Sequence, residues 1–346
     1  MSLSRPARFP LLKLPWLCIK CILYNSDLFD IIFFVSLSNR TRRLVKSLNY
    51  PLKEIEVSLS RDRKIRIGDT LEDAKYEKTL HFTQSKYAFG IPHWKASCFL
   101  DSSHSDFWGG HYLESYTVRD TLDALKTAIS FFIDEFECTI RNVIVDGDKL
   151  SELMGLGISS VKELIIRGRK PVKIANLNYI LEHTKVTDKY VFDAPIPKDF
   201  SCDPQIFKCR RLSFWHSNAT DWVTLEFLCQ LDLPELYFLH HRFSVEDVVS
   251  FITYWFNSEN RKLEYLYVNF KNPVSLWDFK IEHLNPMQFC EKRRNKCLFV
   301  NGWAKIDMSS GKDILRQDGL LATFYVDFTS VIFHVWHKRF PDAVQQ

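Results

Sequence analysis

The chain has 346 residues, of which 46% are hydrophobic, and a formal net charge of +4. A chain of this length and composition can bury an apolar core in about two or three domains, which excludes general disorder. The mild positive charge falls short of the concentrated basic charge typical of nucleic-acid binding, so we expect no nucleic-acid partner.

Nine cysteines are spread along the chain without the dense spacing of a disulfide scaffold, which favours a reducing compartment. Cys18 and Cys21 have the spacing of a zinc or redox pair. Cys290 and Cys297 are spaced more widely and have no supporting histidines, so they do not complete a zinc site. We therefore expect no metal, and we expect Cys18 and Cys21 to pack as small apolar side chains.

The apolar stretch at residues 9–23, FPLLKLPWLCIKCIL, is the one candidate for a signal peptide. Lys13, Pro15 and Lys20 interrupt its apolar core. The next apolar run, Leu28–Val35, is too short to span a bilayer. We expect a soluble intracellular protein, cytoplasmic, nuclear or both, with no membrane partner.

The first 50 residues predict three short helices. Proline at a first-turn position starts a helix over 15–23, Asp27 favours the start of a second, and a third begins near Ser38. The first two helices are apolar nearly all the way round, and so small a unit cannot bury both. Part of this surface should meet another molecule, and packing against the rest of this chain is the alternative.

Residues 51–117 predict a β-rich connecting region. Apolar and polar residues alternate over 54–59 and 64–68, as in strands. Further along we expect strands and long loops, because aromatic, polar and glycine residues are mixed there: Phe89, Trp94, Phe107, Trp108, Gly109 and Gly110.

Residues 118–270 predict alternating helices and short strands. After a helix from about Val118 to Phe136, apolar three-residue runs recur at intervals of 21 to 30 residues, starting at Val143, Leu164, Tyr190, Leu212, Leu236 and Leu266. This period is typical of a leucine-rich-repeat-like solenoid. A doubly wound α/β domain, with longer strands, is the alternative. Ser244 and Asp247 predict a capping box at the best of the helices between the runs.

Residues 271–346 predict a small antiparallel meander that closes the solenoid, with a two-residue hairpin turn at Asp318-Gly319. The basic cluster at 292–296 predicts a solvated loop; phosphate or a nuclear-import receptor is the alternative ligand. The predicted fold class is thus a multidomain α+β and α/β chain, divided into 1–50, 51–117, 118–270 and 271–346.

No catalytic constellation can be assembled from the sequence. His240 and His241, and likewise His334 and His337, would point to opposite faces of a strand. The glycines of 155–157 indicate a turn, since a third glycine at the dinucleotide-binding spacing is missing. We therefore expect a protein that is not an enzyme and has no cofactor.

Residues 9–48, FPLLKLPWLCIKCILYNSDLFDIIFFVSLSNRTRRLVKSL, resemble the F-box, a three-helix motif, in its large nematode subfamily. Order and spacing of the matching elements carry the resemblance: Phe9-Pro10-Leu11-Leu12, Leu14-Pro15, Ile22-Leu23, Ile31-Ile32, Ser38-Asn39-Arg40-Thr41 and Leu44-Val45-Lys46. Leu17 and Leu37 depart from the family pattern, which has a carboxylate and a cysteine there.

The later part of the chain resembles the type 2 F-box-associated domain of the same subfamily. The matching features are Asp221-Trp222-Val223-Thr224-Leu225-Glu226, the helix from Val245 to Trp255, Lys262 to Leu266 and the closing meander from Asp313 to Trp336.

The resemblance implies the substrate-recognition subunit of a Skp-cullin-F-box ubiquitin ligase. Its F-box would bind a Skp-type adaptor, and through it a cullin, by Leu14, Pro15, Ile22, Leu23, Leu28 and Ile31. The C-terminal domain would bind a protein substrate. The alternatives are a non-degradative scaffold bound to the adaptor, and a hydrolase or transferase, which would need a convergent polar pocket.

Alternate strand residues of a solenoid point away from its helices and line a concave face. The predicted substrate-binding residues are Ile165, Arg167, Val191, Ser213, Trp215, Tyr237, Leu239, Tyr267 and Asn269. In the alternative, the inward and outward positions are exchanged.

Overall fold

The structure is a computed structural model that describes residues 11–48, 50, 52–60, 63–67, 78–84, 111–117, 121–239, 241–300 and 304–337. These residues form helices and a large mixed β-sheet, so the fold is α+β. The chain divides into two compact units, unit 1 (Met1–Ser58 and Asp62–Ile140) and unit 2 (Leu59–Arg61 and Arg141–Gln346). Several residues used above lie outside the described ranges: Phe9, Pro10, Phe89, Trp94, Phe107, Trp108, Gly109, Gly110, Val118 and His240.

Unit 1 begins with the three predicted helices, α1 (Trp16–Tyr24), α2 (Leu28–Ser36) and α3 (Asn39–Leu48). Pro15 stands at the N-cap of α1 in an extended conformation, one position earlier than predicted. The apolar side chains that these helices bury are Ile19, Leu23, Ile31, Ile32, Val35, Val45 and Leu48. No helix in the described ranges is long and apolar enough to cross a membrane.

A fourth helix of unit 1, α4 (Thr121–Phe136), lies beside α3. The Arg42 guanidinium is 3.3 Å from the Glu135 carboxylate, and the Lys46 ammonium donates to the Asp134 carbonyl oxygen at 3.1 Å. Four strands complete the unit in the order β1 (Glu54–Leu59), β2 (Arg63–Ile67), β3 (Lys78–Gln84) and β4 (His111–Thr117). Strands β2 and β3 are antiparallel, and β3 and β4 are parallel.

Unit 2 contains parallel strands that follow one another in sequence order across the sheet. They are β5 (Thr139–Asp146), β6 (Ser160–Arg167), β7 (Lys185–Asp193), β8 (Arg211–Phe214), β9 (Glu235–Phe238) and β10 (Tyr265–Asn269). The helices between them are α5 (Leu150–Leu156), α6 (Ile174–His183), α7 (Leu225–Gln230) and α8 (Val245–Asn257). The predicted run positions are confirmed, but β5, β6 and β7 have 8, 8 and 9 residues, because pairing extends into polar positions beyond each apolar run.

One face of this parallel sheet carries the core beneath the helices. Its buried residues stack from strand to strand, with ring centroids 5.4 Å apart for Phe192 and Phe214 and 5.1 Å apart for Phe214 and Phe238. The predicted capping box of α8 is confirmed, since the Ser244 hydroxyl accepts from the Asp247 amide at 3.1 Å.

Three antiparallel strands form the predicted meander: β13 (Lys312–Leu315), β14 (Leu321–Asp327) and β15 (Ser330–Trp336), with β15 paired to β10. The predicted two-residue turn at Asp318-Gly319 is wrong. The connection is a longer loop over 316–320, in which the Asp318 carboxylate accepts from the Arg316 guanidinium at 2.8 Å and is therefore tied to the loop itself. A tight turn lies instead at Phe328-Thr329.

A separate hairpin, β11 (Cys297–Val300) and β12 (Ala304–Asp307), contributes to a second cluster of buried residues. Leu298 and the adjacent Met308 are buried there with Tyr265 and Ile332. The hairpin therefore covers the end of the sheet face opposite the helices, at β10 and β15.

The basic cluster at 292–296 is only partly solvated, which corrects the sequence prediction. The Arg294 side chain is fully buried. Its Nε donates to Asp313 Oδ1 at 2.6 Å, its Nη2 donates to the Met308 carbonyl oxygen at 2.8 Å, and the Thr323 hydroxyl donates to the same carboxylate at 3.0 Å. The reason is that a buried guanidinium is tolerated when a carboxylate and carbonyl groups satisfy its donors.

Removing one partner of this pair should destabilise unit 2. We expect Asp313→Ala to lower the free energy of unfolding by about 3–5 kcal/mol in urea denaturation, because it leaves Arg294 buried without its counter-ion. Adding Arg294→Met should restore part of the loss. Asp307→Ala, which removes an exposed ion pair with Lys296, serves as the control and should leave the midpoint almost unchanged. A wild-type midpoint for Asp313→Ala would contradict this account.

His334 lies on β15 and His337 follows its last residue, and their rings make separate contacts. The His334 ring packs against the Trp336 ring at 4.5 Å between centroids, and burial lowers the pKa of His334 to about 4. His337 Nε2 lies 2.9 Å from the Leu263 carbonyl oxygen. His334 therefore remains neutral in the folded protein at pH values where an unfolded histidine takes up a proton.

Stability of unit 2 should depend on pH through His334. The unfolded chain binds a proton at His334 below pH 6.5, the ordinary histidine pKa, whereas the folded protein binds it only near pH 4. The free energy of unfolding should therefore be highest above pH 6.5 and should fall by up to about 3 kcal/mol as the pH falls towards 4. Chemical denaturation at a series of pH values measures it. His334→Gln should flatten this slope, and His337→Gln should keep it. An unchanged slope in His334→Gln would show that other groups cause it.

Candidate protein-binding surfaces

The first three helices of unit 1 carry a large exposed apolar surface. On α1, Ile19 and Leu23 point inward, so the opposite side of the helix is open. Leu17 is 71% exposed and Leu37 is 59% exposed. The exposed apolar residues, called here the helical apolar surface, are Trp16, Leu17, Ile22, Tyr24, Phe33 and Leu37. Such a concentration on a small unit marks an interaction site more often than isolated exposed residues do.

The predicted adaptor contacts divide into two groups. Pro15 and Ile22 are exposed, and Leu14 and Leu28 are half-buried. Leu23 and Ile31 are 3% and 0% exposed, so these side chains fill the interior of the unit and offer little area to a partner in this conformation.

The adaptor contacts predicted from the F-box resemblance did not include Leu17, Phe33 and Leu37, which are among the most exposed apolar residues of these helices. Leu17 and Leu37 were the positions that depart from the family pattern. The helical period around Ile19 and Leu23 places Leu17 on the outside of α1, which was the available signal.

Cys18 and Cys21 are both exposed on α1. The prediction that they pack in the core is wrong, because the inward positions of the helix are occupied by Ile19 and Leu23. Among the residues that the structure describes, no three or more histidine, cysteine or carboxylate side chains are grouped to hold a metal.

The face of the unit 2 sheet opposite the helices is called here the helix-free face. The strand register places five predicted residues side by side on it: Ile165, Val191, Ser213, Tyr237 and Tyr267. Arg167 and Asn269 follow two positions later on β6 and β10, and Trp215 and Leu239 follow directly after the ends of β8 and β9. Parallel pairing and the two-residue period of strands account for this alignment.

Two residues of this row are not available for contact. Val191 and Ser213 are 0% and 1% exposed, although they lie on the helix-free face. The Lys189 ammonium lies 5.2 Å from the ring centroid of Trp215, so these two long side chains meet above the small ones. Val191 and Ser213 thus offer no exposed area to a substrate in this conformation, whereas Trp215 is 36% exposed.

Tyr237 and Tyr267 are half-buried against the cluster that holds the hairpin. The Tyr237 ring centroid is 5.1 Å from that of Tyr265, and the Tyr267 hydroxyl lies 3.0 Å from the Ser330 hydroxyl. These tyrosines thus form the edge at which the open part of the helix-free face ends.

Charged residues form a neighbouring row on the same face, in the order Glu163, Lys189, Arg211 and Glu235. Arg211 Nε donates to Glu235 Oε2 at 2.6 Å, and the Arg211 guanidinium stacks 4.7 Å from the Tyr237 ring. Burial lowers the pKa of Lys189; Glu163 opposes this shift and Arg211 adds to it.

A cleft of about 750 Å³ opens where β7, β8 and β10 end. It is lined by Asp193, Trp215, His216, Ser217, Asn269, Phe270, Lys271 and Thr329. Its volume is that of many ligand sites. Trp215 and Asn269 were predicted; the other residues were not, because they lie at strand ends or in loops beyond the runs used for the prediction. An aromatic ring, an amide and both charges suit part of a protein chain as the ligand.

Comparison with known proteins points to the same part of the chain. Residues 204–268, which include β8, β9 and β10, match the family described as F-box associated. The uncharacterized protein F59B2.8 of Caenorhabditis elegans is 30% identical over 134 residues, which are 37% of this chain and 31% of that protein. The uncharacterized protein F59B2.9 of the same organism is 23% identical over 343 residues, 86% of this chain and 77% of that protein.

No solved structure gives a significant match to the chain. The chain spans about a third of the length of F59B2.8. Of the residues that line the cleft, Trp215, His216 and Ser217 lie in the segment that is similar to the F-box-associated family.

Proposed function

We propose that the chain is the substrate-recognition subunit of a cullin-RING ubiquitin ligase. In this proposal α1, α2 and α3 are an F-box that binds a Skp-type adaptor, and unit 2 binds the protein to be ubiquitinated. The observation that carries the proposal is the helical apolar surface, whose most exposed members are Leu17 and Leu37. The match of residues 204–268 to the F-box-associated family supports it.

The adaptor would bind by covering the helical apolar surface. Leu17, Phe33 and Leu37 would join Leu14, Pro15, Ile22 and Leu28 as contact residues, while Leu23 and Ile31 hold the helices in place from within. Fully burying one large apolar side chain contributes about 1.5–3 kcal/mol, so a few such residues suffice for a specific complex.

The strand order of unit 2 supports a leucine-rich-repeat-like solenoid. A doubly wound sheet reverses its strand order at a switch point. Strands β5 to β10 instead neighbour one another in sequence order with parallel pairing. Stacked strand-helix units of this kind bury their apolar faces against their neighbours, which leaves the helix-free face for a partner.

The chain would contribute binding, while other subunits contribute the chemistry. Holding a target near the ubiquitin-loaded enzyme raises the effective concentration of its lysines. A scaffold that binds the adaptor without recruiting a target for ubiquitination is the alternative, and a reconstituted ubiquitination assay separates the two.

A charge in the helical apolar surface should abolish adaptor binding without unfolding unit 1. We expect Leu17→Asp to reduce co-purification with a co-expressed Skp-type adaptor by at least about tenfold, because an aspartate buried there would lose its hydration. The double substitution Leu14→Ala with Pro15→Ala should also reduce co-purification with the adaptor.

Ile133→Asp is the matched control, since Ile133 is also an exposed apolar residue of unit 1 but lies on α4. It should keep the adaptor. Adaptor recovery unchanged in Leu17→Asp, at an unchanged melting temperature, would refute the proposed docking surface.

Removing the exposed Trp215 ring from the helix-free face should weaken binding of the protein to be ubiquitinated. We expect Trp215→Ala to lower recovery of ubiquitinated proteins in affinity purification from the native organism while adaptor recovery stays constant, because tryptophan residues carry much of the energy of interfaces. Tyr254→Ala removes an exposed ring from α8 and should change nothing. Equal effects of the two substitutions would contradict the assignment of this face.

A further inference from the structure

The basic side chains at the helix-free face differ in whether a carboxylate of this chain pairs with them. Arg210 and Arg211 both donate to the Glu235 carboxylate, at 2.9 and 2.6 Å, and Arg210 also lies 3.2 Å from Glu264. The Lys189 ammonium lies 5.2 Å from the centroid of the Trp215 ring, and it makes no ion pair or hydrogen bond with any part of the chain that the structure describes. Lys189 is therefore a half-buried cation that has no ion-pair partner among the described residues.

The cleft beside Trp215 has the same imbalance. Lys271 lines it and makes no ion pair within the described ranges, and Asp193 is the carboxylate that lines it. Three carboxylates act on Lys189 from outside ion-pair distance: Glu163 on the next strand, Asp188, and Glu235, which is itself paired with Arg210 and Arg211. Two ammonium groups near Trp215, those of Lys189 and Lys271, thus remain without an ion-pair partner in the described ranges and can meet the charge of a ligand.

We propose that this side of the helix-free face binds an extended, acidic peptide segment of the recruited protein. A carboxylate of the segment lies against Lys189, and adjoining residues contact Trp215 and enter the cleft near Lys271. This inference rests on the proposed function, because it names the class of substrate that unit 2 takes.

The physical chemistry of the two residues supports an acidic ligand. Burial removes part of the hydration of the Lys189 ammonium, and a ligand carboxylate replaces it with a charge-assisted hydrogen bond. Trp215 holds the ammonium on one side and is 36% exposed on the other, where it offers apolar contact area. An exposed tryptophan next to a counter-charge is a common centre of binding energy.

A phage-displayed library of random peptides, selected on the full-length protein, tests this assignment. We expect aspartate and glutamate to be enriched in peptides selected on the wild type, and this enrichment to disappear on Lys189→Met, which removes the charge and keeps a long side chain. Lys170→Met is the matched control, because Lys170 is exposed and pairs with Asp148. It should keep the enrichment.

One selected peptide then gives the affinities. Fluorescence polarisation should show about tenfold weaker binding to Lys189→Met, and the same loss on the wild type when the key glutamate of the peptide is replaced by glutamine. That replacement should cost nothing further on Lys189→Met, as a double-mutant cycle requires. Glu163→Gln should tighten binding, since it removes the opposing charge.

Several results would overturn the inference: no acidic enrichment, enrichment of lysine and arginine, or enrichment that persists on Lys189→Met. If Lys189→Met fails to fold, acetylation of Lys189 in the wild type by an N-hydroxysuccinimide ester decides instead. The selected peptide should slow this acetylation, and an unchanged rate would overturn the inference.

Failure of the proposed function gives a different result. If the Skp-type adaptor does not bind while acidic enrichment depends on Lys189, the ligase role fails and the acidic-peptide site stands. If the adaptor binds and no acidic preference exists, this inference alone fails.

Discussion

The parallel ladder from β6 to β10 places residues of successive strands at the same level, and both faces of unit 2 depend on that register. On one face it stacks Phe192, Phe214 and Phe238 beneath the helices. On the other it brings Lys189 and Trp215 close enough to meet. A shift of one residue in any strand would exchange these faces and place charges in the core.

Periodicity predicted much of the fold because it reflects which side chains are buried. The three first helices, the spacing of the parallel strands and the capping box at Ser244 follow from local patterns that the structure keeps. The burial of Arg294 could not be predicted in this way. Its partner Asp313 lies 19 positions further along the chain, and a run of basic residues gives no sign of a distant carboxylate.

The binding surfaces were predictable only in part, for a similar reason. Strand alternation placed the correct residues on the helix-free face, but the burial of Ser213 depends on the contact between Lys189 and Trp215 above it. The motif of the first helices pointed to Leu23 and Ile31, whose side chains are buried inside the unit. Leu17 is 71% exposed, and the helical period in which Ile19 and Leu23 point inward was the signal that could have indicated it.

We propose that a Skp-type adaptor covers α1, α2 and α3. Hydrogen–deuterium exchange of the full-length protein, alone and with purified adaptor, tests it most directly. We expect slower exchange in α1 and at the junction of α2 and α3 around Leu37, with the strands of unit 2 unchanged. Exchange that is unaffected by the adaptor in these helices, or that slows in unit 2 instead, would contradict the account.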